Sequence, residues 1–94
     1  MHHVVWLETA SRDLDEILRY IEERNVLAAL NLQESIGYAV SQLPFHPYLY
    51  RLGRVSGTRE LVVHPNYLEI YRVCVSSIEI VNIVHSRRQY PASE

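Results

Sequence analysis

The chain has 94 residues, enough for one domain with a thin core. Its apolar share of 48% and charged share of 21% are ordinary for a soluble globular protein, and no apolar run reaches the ~20 residues of a membrane span. All nine basic residues are arginine and the net charge is −2, which argues against a protein that lives on nucleic-acid phosphates.

The N-terminus, MHHVVWLETA, lacks the charged region and long apolar segment of a secretory signal. The single cysteine, Cys74, cannot form an internal disulfide and reads as a small buried hydrophobe. Both features predict a cytoplasmic protein. Charge is unevenly placed. Residues 1–43 hold three Arg against seven acids; residues 44–94 hold six Arg against four. The second half is therefore the expected face for an acidic partner.

Val4 to Leu7 is a short apolar run suited to a strand. His2 and His3 before it would point to opposite faces, so they do not suggest a metal site. Thr9 is a candidate N-cap, with Asp13, Asp15 and Glu16 in the early turns. Ala10, Leu14, Ile17, Leu18 and Ile21 then repeat at helical spacing, and Asn25 is a plausible helix stop. A second helix is predicted from Val26 to Leu43, on Ala29, Leu32, Ile36, Ala39, Val40 and Leu43. Gly37 inside it suggests a close contact with another element. So short a link predicts an antiparallel hairpin, which Pro44 and Pro47 bring to an end. The aromatic loop Phe45 to Tyr50 is expected to pack over the edge of the core.

Three runs rich in Val, Ile, Leu and Tyr follow: Glu60–Val63, Leu68–Val75 and Ile78–Val84. Gly53 and Gly57, Pro65-Asn66 and Ser76-Ser77 supply the turns. Strict alternation places Leu68, Ile70, Arg72 and Cys74 opposite Glu69, Tyr71, Val73 and Val75. In the last run it places Ile78, Ile80, Asn82 and Val84 opposite Glu79, Val81, Ile83 and His85. Both faces are then apolar, which calls for strong curvature or a covering chain. The order is that of a single α+β domain over residues 1–94: strand, helical hairpin, three-stranded antiparallel meander, in one curved sheet.

No metal-ligand spacing, phosphate-cradling loop or nucleophile motif occurs, so no metal and no cofactor are expected. Arg59, His85, Arg87 and Tyr90 could cut RNA by acid–base chemistry, with Arg steadying the phosphorane charge. The ordinary alternative is an ion pair for Arg59, a strand-end hydrogen bond for His85 and packing for Tyr90.

The second half also resembles the ParE/RelE superfamily, the toxins of type II toxin–antitoxin modules. The resemblance rests on Gly53-Arg54-Val55, Gly57-Thr58-Arg59-Glu60-Leu61-Val62-Val63, His64-Pro65-Asn66-Tyr67, Tyr71-Arg72-Val73 and His85-Ser86-Arg87-Arg88-Gln89-Tyr90-Pro91. It runs over nearly the whole chain from Val5-Trp6. It implies that the N-terminal strand joins the same sheet. It also implies a cognate antitoxin whose disordered C-terminal segment folds onto the toxin, as a helix in an apolar groove with an added strand. RelE-like members cleave mRNA on the ribosome with a basic cluster. Two of those basic positions fall on Arg59 and Arg87, but two others fall on Leu61 and Leu68, which cannot hold a phosphate. The texture is closer to the ParE-like branch, which poisons DNA gyrase. The resemblance therefore implies a non-enzymatic toxin that binds gyrase, with no membrane and no direct nucleic-acid partner. Arg54, Arg59, Arg87, Arg88 and Tyr90 are the candidate polar contacts, since Arg forks well onto carboxylates. The rivals are a ribosome-dependent mRNA endonuclease and a non-toxic module that binds only the antitoxin.

Overall fold

In the computed structural model, which describes residues 2–87 and 90, the chain begins with strand β1 (His3–Trp6) and two helices, α1 (Glu8–Glu22) and α2 (Val26–Gln42). A 3-10 turn (Leu43–Phe45) leads to β2 (Arg51–Leu52), β3 (Arg59–His64), β4 (Tyr67–Val73) and β5 (Ser77–His85). These strands form one sheet in the order β1-β5-β4-β3-β2. β1 runs parallel to β5 and the other pairs are antiparallel. The expected α+β layout holds, with one addition: the two-residue β2, too short to carry a pattern in the sequence.

α1 packs on β5 through Ala10, Leu14 and Ile17. Its N-cap is Leu7, not Thr9. Thr9 lies inside the first turn, and its hydroxyl donates to the Val81 carbonyl at 2.6 Å. Asn25 opens the second helix and does not stop the first: its side chain accepts from the Ala28 N–H at 3.0 Å. A short polar acceptor suits either end of a helix, and here the next helix takes it. α2 buries Ala29, Leu32 and Ile36, and Leu43 continues that stripe beyond its end. Gly37 is exposed, and a Cβ there would meet nothing within 4 Å, so it marks no close contact.

Alternation fails in β5, and the reason is a β-bulge. Ile70 pairs with Asn82, but the next residue, Tyr71, pairs with Ile80, leaving Val81 without a partner on β4. Parity flips across an extra residue. Ile78 and Ile80 therefore share the helix-facing core with Ile83, Leu61 and Tyr71. Val81 and Val84 join Leu68 and Ile70 in a smaller cluster on the other face, which Tyr90 helps to cover. That cluster accounts for the apolar surplus on the second face.

α1 secures the bulge. One Asp13 oxygen, Oδ2, accepts from the Asn82 side-chain amide at 2.9 Å and from the Ile83 N–H at 3.1 Å. With Thr9 one turn earlier, two helix residues four apart satisfy the groups that the irregular strand leaves free. The turns are as expected at Pro65-Asn66, and Gly57 has φ +82°, which suits glycine. Gly53 donates to the Thr58 carbonyl at 2.8 Å, and a Cβ there would lie 2.3 Å from Thr58 Oγ1. Cys74 sits just past β4 and is half-buried, not a core residue.

Candidate functional site

In the connection between α2 and β2, Tyr50 packs against the core as expected, but its apolar neighbours do not. Phe45, Tyr48, Leu49 and Leu52 are 60–74% exposed. The backbone of the connection, by contrast, is held from inside the domain. Arg59 Nη1 donates to the carbonyls of Tyr48 (3.2 Å) and Tyr50 (2.8 Å), and its guanidinium lies over the Tyr48 ring. The hydroxyl of Tyr71, the largest fully buried side chain, donates to the Pro47 carbonyl at 2.8 Å. Burial pushes the Tyr71 phenol up to about 12, partly offset by Arg59, so it stays a donor at neutral pH. Arg59 and Tyr71 are direct cross-strand partners.

On the opposite face, Glu60 is buried and neutralised. Arg51 approaches one carboxylate oxygen at 3.0 Å. Arg54 meets the other through its backbone N–H (3.1 Å) and its Nε (3.4 Å). Arg54 also donates to the Tyr90 carbonyl at 3.3 Å. Burial raises the Tyr90 phenol pKa, with Glu60 adding to the effect.

The far end of the sheet carries the histidines. Tyr67 touches both His64 and His85, with ring centroids 5.7 and 5.2 Å apart. His85 Nδ1 accepts from the Arg87 N–H at 3.1 Å, while the Arg87 side chain is exposed. Burial, with Tyr20 adding to it, raises the Tyr67 phenol pKa.

The predicted residues thus fall into separate groups. Arg54 and Tyr90 meet beside Glu60; Arg59 is turned to the loop carbonyls; His85 and Arg87 stand at the other end. Arg59 pairs with Tyr71 and His85 with Tyr67, four residues apart on β4, or about 13 Å of strand. Arg88 lies outside the described residues. Leu61 and Leu68, where a basic cluster would need cations, are both buried, on opposite faces. No group of His, Cys, Asp and Glu that could hold a metal occurs among the described residues.

Two features went unread in the sequence. The first is a groove of about 740 Å³ between α2 and β3, lined by Glu34, Tyr38, Tyr50 and Leu61 to Val63 among others. β2 pairs only with Arg59 and Glu60, so from Leu61 onward the outer edge of β3 has no strand beside it among the described residues. A two-residue strand left no signal from which this could be foreseen. The second is Glu69. It is fully buried at the centre of β4, between Leu61 and Ile83, and neither carboxylate oxygen has a hydrogen-bond partner. Burial pushes its carboxyl up to about 8, so it is mostly protonated at neutral pH. An acid set between Leu68 and Ile70 was the available sign.

The family model described as the ParE toxin of the type II toxin-antitoxin system parDE matches residues 4–90. Y4kP of Sinorhizobium fredii is 39% identical over 87 residues, covering 92% of this chain and 90% of the relative. Toxin RelE2 of Caulobacter vibrioides is 36% identical over 88 residues, covering 94% and 99%. Among solved structures, a chain of the chromosomal ParDE system from P. aeruginosa superposes with a TM-score of 0.81 at 25% identity, over 90% of this chain and 96% of that one. YafQ from E. coli gives a TM-score of 0.63 at 15% identity, over 92% and 94%, a likeness of fold.

Proposed function

The chain belongs to the ParE toxin family of type II toxin–antitoxin systems, and from that premise we propose that it arrests growth by binding DNA gyrase. As the toxin of such a module, its partner is a cognate antitoxin. The gyrase reading is supported chiefly by the scatter of Arg59, His85, Arg87 and Tyr90. Acid–base cleavage needs a base, an acid and a charge stabiliser within hydrogen-bond reach of one phosphate. Residues about 13 Å apart along a strand do not supply that. A toxin that only grips its target has no such requirement. Arg54, Arg87 and Tyr90 then serve as polar contacts on the target, and Arg59 acts through the loop it holds.

For the antitoxin, the α2–β3 groove and the uncovered edge of β3 fit a segment that folds on arrival. Val62 is exposed there, and Leu61 to Val63 offer main-chain groups to an added strand. Purified toxin tests the target reading. Loss of gyrase supercoiling with intact mRNA in a translation reaction supports it. Codon-phased cuts in ribosome-bound mRNA, with supercoiling untouched, overturn it in favour of the endonuclease.

A further inference from the structure

We propose that residues 45–52 form a pre-shaped apolar contact through which the toxin seizes its target protein. The proposal rests on the reading of the chain as a toxin. In a small domain, an apolar connection normally turns its side chains toward the core and its carbonyls toward water. Here the orientation is reversed, except at Tyr50, whose ring packs against the core. The carbonyls of Pro47, Tyr48 and Tyr50 point into the domain, where Tyr71 and Arg59 meet them. Phe45, Tyr48, Leu49 and Leu52 point out. Two backbone bonds, from His46 N–H to the Leu43 carbonyl and from Leu49 N–H to the His46 carbonyl, tighten the turn further.

This holding lowers the ordering penalty that a loose loop would incur on binding. Aromatic anchors clustered on a rigid support are the usual source of affinity in a protein contact. Tyr50 lines the α2–β3 groove, but none of the four exposed side chains does, so the apolar patch adjoins the surface offered to the antitoxin without sharing its side chains.

Charge identifies the partner as protein. Arg51 is the one Arg or Lys in residues 45–52. The neighbouring cations are engaged: Arg51 and Arg54 with Glu60, Arg59 with the loop carbonyls. A surface that stacked nucleic-acid bases would also need cations to meet the phosphates. The fitting occupant is an uncharged, apolar hollow on a protein.

The test combines Tyr48→Ser with Leu49→Ser, both at exposed positions. Growth arrest on induction, affinity for the cognate antitoxin, thermal midpoint and sedimentation are compared with wild type at equal soluble level. The expected result is at least about a tenfold gain in surviving cells, with antitoxin affinity, midpoint and oligomeric state unchanged. Arg59→Ala should give a similar gain, and Arg59→Lys, which keeps a donor, should restore part of the arrest. Undiminished arrest in the double variant overturns the proposal. So does a loss of antitoxin affinity, which makes the patch part of that interface, or a dissociated dimer, which makes it a contact between copies. Wild-type binding of a labelled single-stranded RNA that the double variant loses overturns the protein assignment. A wild-type chain that arrests nothing defeats the toxin reading itself, and the proposal with it.

Discussion

Replacing Glu69 with Gln should flatten the dependence of the free toxin's stability on pH. The carboxyl has an ordinary pKa of 4.5 and is pushed up to about 8 in the fold, by burial alone. The folded protein therefore holds one proton more than the unfolded chain between those values. The group's contribution is fully favourable below about pH 4.5 and is lost as pH rises toward 8, because the carboxyl ionises first in the unfolded state. The loss between pH 5 and pH 8.5 amounts to about 4 kcal/mol. That is a large share of the ~5–15 kcal/mol that holds a domain together. The flanking residues Leu61 and Ile83 offer no compensating charge, and Tyr71 on the same strand is neutral across this range. Glutamine has nearly the same shape and does not titrate. Urea unfolding of both proteins should give similar stabilities near pH 5, with the variant ahead by about 4 kcal/mol more at pH 8.5. Comparing the two proteins removes the contribution of every other carboxylate. Parallel curves across that range would mean that Glu69 is solvated or paired in solution, and the argument for a protonated core acid would fail.

Asp13→Ala should lower stability by about 2 kcal/mol in urea at unchanged m, because it leaves the Asn82 amide and the Ile83 N–H unpaired at the bulge. Asp13→Asn, which keeps an acceptor, should recover most of that. Gly57→Ala should cost about 1 kcal/mol in the same assay, since φ is +82° and the space around it is open. Arg87→Ala should weaken growth arrest with no change in thermal midpoint, as its side chain is exposed. Arg54→Ala should weaken arrest and also lose up to about 1 kcal/mol, because it removes the Nε partner of the buried Glu60 while the backbone N–H bond stays.

The layout of helices and strands was legible because each long element carries its own period. Ala10, Leu14 and Ile17 announced α1, and the three β-branched runs announced β3, β4 and β5. Punctuation by short polar residues was less informative. Thr9 and Asn25 were both read as marks for α1, yet one reaches across to the bulge and the other caps α2. Local chemistry permitted either role, and only tertiary neighbours decided. The bulge itself left no trace, because Val81 is as good a strand residue as its neighbours. Without it Ile83 would face away from Ile80, and half of the core assignment in β5 inverts. The candidate arginines were chosen for their chemistry, but a sequence does not say where a guanidinium points. Arg59 points to carbonyls of its own chain and Arg54, though exposed, to a buried acid, which leaves Arg87 as the exposed member of the set without an ion pair among the described residues.

The sheet's two faces make opposite use of a buried acid. Glu60 receives four nitrogens from Arg51 and Arg54, which ties β2 and the following turn to β3. Glu69, one strand away and facing the helices, receives none. A paired buried carboxylate fixes a geometry, whereas an unpaired one only weakens the fold that holds it. A chain this small has little margin for such a weakness. A partner that binds only the folded toxin raises its stability in proportion to the logarithm of its concentration over its dissociation constant. An antitoxin seated in the groove beside Leu61, the cross-strand neighbour of Glu69, would therefore both silence the toxin and offset the cost of that core acid. The toxin freed of its antitoxin is then the less stable form, and its stability is lowest where the medium is most alkaline.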